Sequence, residues 1–264
     1  MRRIFTTFLV ILVCLVSLSR SAQAQTEFVV PVGGIAIIGY DFDNKIFAFV
    51  CLIEIPAGIK ILFTDNGWSS YNSLRSEEGV EYWDTGCNLG QVVLVNNESL
   101  PKYKTNPNMN LSNSGDQIFV YQEKSDGTPH FIFGLHSDGD TWLPNDQTPA
   151  NPNESNLPAT LNGTPIAAIA IPEKDRGYYE KERSFETTSQ ALSAITNVLN
   201  WKTSDSSLVI PTGNFSFTTT AVHLSEFSAE TGEDGAPWWV LLGLVVVPVA
   251  VMVLRRPKRD CCER

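Results

Sequence analysis

Residues 46–53, Ile46-Phe47-Ala48-Phe49-Val50-Cys51-Leu52-Ile53, form an uninterrupted apolar run. An apolar run of this length that is rich in β-branched and aromatic residues is typical of a strand buried on both faces. Turn sequences lie on either side of it, at Asp41-Phe42-Asp43-Asn44 and at Ile55-Pro56-Ala57-Gly58. The run therefore predicts a strand at the centre of a β-sandwich.

Shorter runs with the character of strands surround this one. They lie at residues 34–40, 59–64, 80–83, 91–95, 116–122, 130–134, 166–171 and 215–218. We expect the turn at 55–58 to return the chain from the central strand to the strand at 59–64. We also expect one hairpin between 80–83 and 91–95 and another between 116–122 and 130–134. Pro, Asn and Asp are frequent from 137 to 162, which predicts a long loop.

A single amphipathic helix is predicted near residue 190. Thr187-Thr188-Ser189 supplies an N-cap, and Leu192, Ile195, Val198 and Leu199 recur at helical spacing. Many strands at close intervals with so little helix predict an all-β fold. We expect residues 25–224 to form an antiparallel β-sandwich ectodomain with one or two short helices.

The two ends of the chain predict secretion and membrane anchoring. An apolar run after two arginines, followed by Ser21-Ala22-Gln23-Ala24, predicts a signal peptide over residues 1–24. Residues 238–254 carry no charge and could cross a slightly thin bilayer as a C-terminal transmembrane helix. The basic residues of 255–264 favour a cytoplasmic tail. A buried core helix would not end in such a basic cluster, and a GPI-anchor signal normally ends in apolar residues.

These features predict a single-pass type I protein of the cell membrane with an extracellular N-terminus. The acidic stretch 225–237 predicts a flexible stalk, and cleavage there would shed the ectodomain into the extracellular matrix. Cys261 and Cys262 would lie just inside the membrane. They are either palmitoylation sites or unmodified thiols.

The predicted ectodomain is strongly acidic. Residues 25–237 contain 27 of the 29 Asp and Glu and 11 of the 19 Lys and Arg, which gives them a formal charge of −16. This charge argues against nucleic acid as a partner, because phosphate contacts need Lys and Arg. Cations, cationic proteins or a positively charged mineral face are the natural partners, and solubility alone is the alternative.

Two kinds of covalent modification are predicted in the ectodomain. Cys51 and Cys87 would form a disulfide in an oxidising compartment, although Cys51 could also be a buried free thiol in its strand. N-glycosylation sequons predict glycans on surface loops. They begin at Asn97, Asn110, Asn153, Asn162 and Asn214.

Calcium is the candidate cofactor. Hard cations prefer oxygen ligands, and Asp138-Gly139-Asp140 and Asp41-Phe42-Asp43 place two carboxylates close together in predicted loops. Asp65-Asn66 forms a third polar pair of this kind. The alternative for each is an ordinary Asp-rich turn. Weak and diffuse attraction of Ca²⁺ by the acidic surface is a further alternative.

The sequence carries no catalytic motif that we recognise. The histidines, His130, His136 and His223, do not lie in the context of a nucleophile–base pair, and no phosphate-binding glycine loop is present. Trp83 lies in a predicted strand, whereas Trp68 and Trp142 follow predicted turns. We expect Trp83 to pack in the core, whereas Trp68 and Trp142 could also stack on a sugar. We therefore predict a protein that is not an enzyme.

Several motifs together resemble a known secreted module. They are Gly34-x-Ala36-x-x-Gly39-Tyr40, Phe47-Ala48-Phe49-Val50, Phe63-Thr64-Asp65-Asn66-Gly67-Trp68, Ser112-Asn113-Ser114-Gly115-Asp116-Gln117-Ile118-Phe119 and Asn200-Trp201. Over residues 28–219 the chain resembles the β-sandwich module of the skeletal aspartic acid-rich proteins of stony corals and of some bacterial surface proteins. The whole arrangement of segments resembles the acidic skeletal organic matrix proteins of coral skeleton. The long Asp runs of the aspartate-rich members are missing, since the longest acidic runs are pairs such as Glu233-Asp234.

The resemblance implies a non-enzymatic matrix protein that organises a calcium carbonate skeleton at the boundary between cell and matrix. Calcium or its carbonate, other matrix proteins and glycans would be the partners. A general adhesion or carbohydrate-binding ectodomain is the alternative. A hydrolase with a site assembled from scattered acids is a third hypothesis, against which the missing catalytic motifs argue.

Overall fold

The computed structural model describes residues 28–76 and 78–218, and these form two facing β-sheets. The first sheet contains β1 (Ile35–Asp41), β2 (Ile46–Cys51), β5 (Val92–Asn96), β9 (Arg176–Tyr179) and β11 (Trp201–Ser204), in the order β11-β9-β1-β2-β5. The second contains β3 (Ile61–Thr64), β4 (Val80–Trp83), β6 (Gln117–Glu123), β7 (Pro129–His136) and β8 (Ala168–Ala170), in the order β4-β3-β6-β7-β8. A short parallel pair, β10 (Ser184–Phe185) and β12 (Ser216–Phe217), lies apart. The prediction of a mostly antiparallel, all-β fold is confirmed for these residues.

The core lies between the two sheets, and β2 supplies its centre. Phe47 and Phe49 of β2 pack on Phe63 of β3 across the sandwich, with ring centroids 4.9 and 5.3 Å apart. All three side chains are fully buried. Burying one such side chain stabilises the fold by about 1.5–3 kcal/mol. The predicted central position of β2 is confirmed, because it pairs with β1 on one side and β5 on the other.

Two of the predicted connections are wrong. β3 does not return beside β2 but joins the other sheet, where it pairs with β4 and β6. β4 and β5 do not form a hairpin, because β5 pairs with β2 in the first sheet. The hairpin of β6 and β7 is as expected, and β1 and β2 pair across the predicted turn at 41–44.

The two connections differ from the prediction because the chain crosses between the sheets twice at one corner of the sandwich. The segment after β2 and the segment after β4 pair with each other, since Ile55 and Cys87 exchange main-chain hydrogen bonds of 2.8 and 2.9 Å. A disulfide joins Cys51 to Cys87 at the same corner. The two crossings therefore support one another, which a reading of separate hairpins does not anticipate.

The helix α1 spans Thr188–Ile195 and is shorter than its apolar pattern predicts. The side chain of Thr187 accepts from the main-chain N–H of Gln190 in a capping box, and Leu192 and Ile195 are buried. Leu199 is 82% exposed, so the prediction that the helix extends to this residue is wrong. The indole N–H of Trp201 donates to the carbonyl of Ile195 and closes the helix there.

Three short strands, β9, β10 and β11, are missing from the sequence prediction. Their sequences are polar or mixed, so they lack the apolar run of the central strands. β9 lies beside β1 because Gly177 leaves room for the ring of Tyr40. A Cβ at Gly177 would approach that ring to 2.7 Å.

Several predicted segments lie outside the described residues. They are the signal peptide 1–24, the stalk 225–237, the transmembrane helix 238–254 and the tail 255–264 with Cys261 and Cys262. Within residues 28–76 and 78–218, no helix is long and apolar enough to cross a membrane.

Candidate functional site

Acidic side chains gather at one end of the sandwich. β1 and β11 end there and β9 begins there in the first sheet, while β3 and β7 end and β4 and β6 begin there in the second. The loop before β6 links the two sheets, because Asn113 donates to Asp43 and Lys45 donates to the carbonyl of Leu111. We name this region the acidic end. Its described carboxylates include Asp41, Asp43, Asp65, Glu78, Asp116, Asp138, Asp140, Glu154, Glu173, Asp175 and Asp205.

Three of these carboxylates meet in a partly buried cluster, which we name the triad. Asp65, Glu78 and Asp116 each place one carboxylate oxygen within 4.8 Å of the others. Asp65 and Asp116 are fully buried, whereas Glu78 is half-buried and reaches the surface. The three residues follow or precede the neighbouring strands β3, β4 and β6, so the pairing of these strands brings them together.

Main-chain N–H groups hold Asp65 in place. Its Oδ1 accepts from Gly79 at 2.8 Å and its Oδ2 accepts from Asn110 at 2.5 Å. A Cβ at Gly79 would lie 2.0 Å from the main-chain nitrogen of Met109, so only glycine lets the two loops approach. Burial raises the pKa of Asp65 to about 6, although these hydrogen bonds and Lys45 oppose the shift.

Asp116 is held in the same way and lies deeper. Its Oδ2 accepts from the N–H of Ser112 at 2.7 Å and its Oδ1 from the N–H of Gln117 at 2.8 Å. Burial raises its pKa well above the usual range, and the charges of Asp65 and Glu78 add to the effect. The charges of Asp65 and Glu78 therefore disfavour the ionised form of Asp116.

The side-chain amide of Gln117 lies against this cluster and is fully buried. Its nitrogen donates toward the carbonyl of Asp65, Oδ1 of Asp116 at 3.2 Å and the carbonyl of Pro152 at 3.0 Å. Its oxygen has no hydrogen-bond partner among the described residues. Three acceptors thus face a group with two N–H donors, while the amide oxygen is unsatisfied.

A further buried acid near the triad, Glu81, is the second residue of β4. It is fully buried, and its Oε1 accepts from the N–H of Met109 at 3.3 Å. Burial raises the pKa of Glu81 to about 7, the Met109 hydrogen bond opposes this, and the charge of Asp65 adds to it. Its other oxygen has no described partner, so the ionised form is poorly satisfied.

At the predicted calcium pair, Asp41 and Asp43, a basic side chain takes the place of the ion. Arg176 places Nε 3.2 Å from Oδ1 of Asp41 and an Nη 2.5 Å from Oδ2 of Asp43. Asn44 also donates to both oxygens of Asp41. A cation at this position would have to displace a guanidinium, so the geometry corresponds to the ordinary Asp-rich turn of our alternative.

The other predicted pair does not form a ligand cluster either. Asp140 is exposed, while Asp138 is partly buried, and burial together with the charges of Glu154 and Glu173 raises the pKa of Asp138. In the described part of the chain, groups of three possible metal ligands occur at the triad and at Glu173, Asp175 and Asp205. In the second group Lys174 pairs with Asp205 at 2.8 Å, and Glu173 and Asp205 are exposed while Asp175 is half-buried.

The predicted covalent sites fall into two classes. The disulfide between Cys51 and Cys87 is present. Asn110, Asn162 and Asn214 are exposed and Asn153 is half-buried, as sequons on surface loops should be. Asn97 differs, because its side chain is fully buried and its Nδ2 donates to the carbonyl of Met109 at 3.0 Å. A glycan bonds to this nitrogen, so the expected surface position of Asn97 is wrong.

The aromatic residues and histidines lie mainly in the core. Trp83 is nearly buried and meets Phe49 edge-on, as predicted. Trp142 stacks between Phe119 and His136, and Trp68 packs edge-on against Phe131, so both are half-buried rather than displayed. Burial lowers the pKa of His136 to about 4. His130 faces the carbonyl of Val30 at 2.9 Å, and His223 lies outside the described residues.

Sequence reasoning found one member of the triad. It singled out Asp65-Asn66 as a polar pair after a strand, and Asp116 only as part of a family motif. The signal that unites the three is that each lies at the end of a strand. That signal becomes specific only once β3 is known to lie between β4 and β6.

Comparison with protein-family models, curated proteins and solved structures finds no match to this chain.

Proposed function

We propose that this chain is a non-enzymatic, acidic extracellular matrix protein that is anchored to a cell membrane and organises calcium carbonate mineral. The observation that carries the proposal is the gathering of carboxylates at one end of the sandwich. Salt screens isolated surface charges beyond about 8 Å, so a mineral face responds to carboxylates that lie close together. A sandwich that presents them on one end has a defined face for a surface of calcium ions.

The exposed part of the acidic end suits such a contact. Glu173, Asp175 and Asp205 place carboxylate oxygens within 4.8 Å of one another. Lys174 and Arg176 neutralise part of this charge, which favours a moderate and reversible attraction over tight adsorption. This character agrees with the lack of long Asp runs and favours an organising role over bulk mineral binding.

The test is adsorption of the full chain, purified in detergent, to calcite powder. One variant carries Glu173→Gln, Asp175→Asn and Asp205→Asn at the acidic end. The matched control carries Glu180→Gln, Glu182→Gln and Glu186→Gln, which removes three exposed charges beyond the opposite end of β9.

We expect the first variant to need about tenfold more protein for half-saturation of the mineral, and the control to change it less than about twofold. An equal effect of both variants would show that adsorption depends on the net charge of the protein and not on the acidic end. No effect of either would refute the proposal.

A carbohydrate-binding or adhesive role is the second candidate, and one feature of the described chain favours it. A hollow of about 280 Å³ lies on the second sheet and is lined in part by Phe28, Lys60 and Tyr103. Lys60 lies 4.8 Å from the ring centroid of Tyr82 and 5.9 Å from that of Tyr103. Aromatic and cationic groups of this kind can bind an acidic sugar. A glycan array with the Tyr103→Ala variant as control tests this role, since specific binding should require Tyr103.

A further inference from the structure

The strand β5 forms one edge of the first sheet. It is the last strand in the order β11-β9-β1-β2-β5, and among the described strands it pairs with β2 alone. Its sequence, Val92-Val93-Leu94-Val95-Asn96, contains neither charge nor proline, and Leu94 is 49% exposed. An apolar edge strand without these features tends to pair with a strand of another chain unless something covers it.

The edge strand β4 of the second sheet is covered by the chain itself. The N–H of Tyr82 donates to the carbonyl of Pro101 at 3.0 Å, and the N–H of Tyr103 donates to the carbonyl of Val80 at 2.8 Å. The segment after β5 thus lies along β4 and uses its outward main-chain groups. The contrast raises the question of what protects the edge at β5.

The hydrogen bonds between β2 and β5 identify which groups of β5 face outward. At one end the N–H of Cys51 donates to the carbonyl of Gln91 at 3.1 Å, and at the other the N–H of Asn97 donates to the carbonyl of Lys45 at 2.9 Å. Every second residue of an antiparallel strand bonds to the same neighbour. The odd-numbered residues of β5 therefore bond to β2, and the even-numbered residues direct their main-chain groups outward.

Asn214 closes the first part of this outer side. Its Oδ1 accepts from the outward N–H of Val92 at 2.9 Å, and the N–H of Phe215 donates to the carbonyl of Gly90 at 2.8 Å. The side-chain oxygen of Asn214 thus takes the place that a carbonyl of a pairing strand would occupy. In the described part of the chain, no residue beyond β2 bonds to the main chain of Leu94, so the edge is open there.

Asn214 is also the acceptor of a predicted N-glycosylation sequon, Asn214-Phe215-Ser216, and it is exposed. A glycan would bond to Nδ2, which shares one carbon atom with the Oδ1 that meets Val92. The first sugar must therefore begin beside the open edge. Leu94 lies about 7 Å further along the strand, a distance that a bulky glycan spans.

We propose that the N-glycan on Asn214 covers the open edge of β5 and prevents it from pairing with β5 of a second copy. The strand suits its own copy, because antiparallel pairing about Leu94 sets the outward N–H and C=O of one Leu94 against those of the other, with no charge to oppose it. The amide of Asn214 alone is a weak barrier, since one exposed hydrogen bond is exchanged at little net cost. The inference goes beyond the proposed function and shares with it only the expectation of secretion.

The test uses the full chain, expressed through the secretory pathway of a eukaryotic cell line, with Leu94→Cys as a reporter. Two copies paired about this position would place its Cα atoms about 5.5 Å apart, which is within the range of a disulfide. The readout is the fraction of disulfide-linked dimer on a non-reducing gel. The gel mobility before and after glycosidase treatment reports which sequons carry a glycan, and the chain without the reporter gives the background.

The variants, each combined with the reporter, separate the glycan from the side chain that bears it. Ser216→Ala removes the sequon and keeps the side chain of Asn214, whereas Asn214→Gln removes both. The matched control is Ser216→Thr, which changes the same position and keeps the sequon. A further control, Asn162→Gln, removes a glycan from an exposed residue that precedes β8 in the second sheet.

We expect the reporter alone, and the reporter with Ser216→Thr or Asn162→Gln, to show dimer near the background. Ser216→Ala and Asn214→Gln should each raise the dimer fraction at least about fivefold, because the open edge is then free to pair. An absence of glycan on Asn214, or an equal dimer fraction with and without its sequon, would overturn the inference. An equal rise with Asn162→Gln would overturn it too, since the glycans would then act through general solubility.

Discussion

Replacing Glu81 with Gln should make the protein more stable at alkaline pH and change it little at acidic pH. Glu81 is fully buried in β4, and burial raises its pKa from 4.5 to about 7. A raised carboxyl pKa means that the folded state binds the proton more tightly than the unfolded state does. The stability that this proton provides is present below pH 4.5 and is lost as pH rises through 7.

The size of the effect follows from linkage. With a pKa of 4.5 unfolded and about 7 folded, the free energy of unfolding should fall by about 2.5 kcal/mol between pH 5 and pH 8. Water penetrates the loops at the end of a sandwich and screens the charge, so we expect about 1–2 kcal/mol of this to be observed. Gln cannot ionise, and its side-chain oxygen can still accept from the N–H of Met109.

The assay is urea unfolding at several pH values between 5 and 8, in the presence of a chelator. The quantity of interest is the difference between the Glu81→Gln and wild-type free energies of unfolding, because Asp65 titrates in the same direction in both proteins. The exposed Glu54 provides the matched control Glu54→Gln, whose profile should parallel the wild type. If the profile of Glu81→Gln also ran parallel to the wild type, the burial argument would be refuted.

Three further predictions follow from the fold and its covalent sites. Replacing Cys51 and Cys87 with Ala opens a link between positions 36 residues apart and should lower the urea-derived free energy of unfolding by about 3–4 kcal/mol, so a loss under 1 kcal/mol would contradict the chain-entropy argument. Gly79→Ala should lower the thermal midpoint sharply, since its Cβ would lie 2.0 Å from a main-chain nitrogen; an unchanged midpoint would show that the facing loop moves freely. Glycopeptide mass spectrometry of the chain expressed through the secretory pathway of a eukaryotic cell line should find Asn97 unmodified and the exposed Asn162 glycosylated, and a glycan on Asn97 would contradict its burial.

The strands with strong local patterns could be predicted from the sequence, whereas their partners could not. The strand within residues 46–53 and the two strands of the β6–β7 hairpin are apolar enough to be predicted from their own sequences. An alternating or apolar pattern says which residues are buried but not which strand lies alongside. The crossings after β2 and after β4 stabilise each other through Ile55, Cys87 and the disulfide, so neither is visible in its own segment.

The candidate site was harder to predict for the same physical reason. Asp65, Glu78 and Asp116 lie far apart in the sequence, and each has the appearance of a turn residue. The pairs with short spacing, Asp41 with Asp43 and Asp138 with Asp140, do not form clusters of ligands in the described structure. Short spacing brings two carboxylates close in the chain, but Arg176 arrives from β9 to neutralise the first pair.

The carboxylates of the acidic end thus perform two different tasks. Asp65 and Asp116 each accept two main-chain N–H groups and so fix the loops around β3 and β6. Glu173 and Asp205 are exposed and can change partner at little cost. The disulfide lies at the opposite end of β2 and secures the crossings there, so the loops of the acidic end depend on their own hydrogen bonds. A variant of a buried carboxylate therefore reports on folding, whereas a variant of an exposed one reports on the surface. For this reason the mineral test avoids the buried carboxylates of the acidic end.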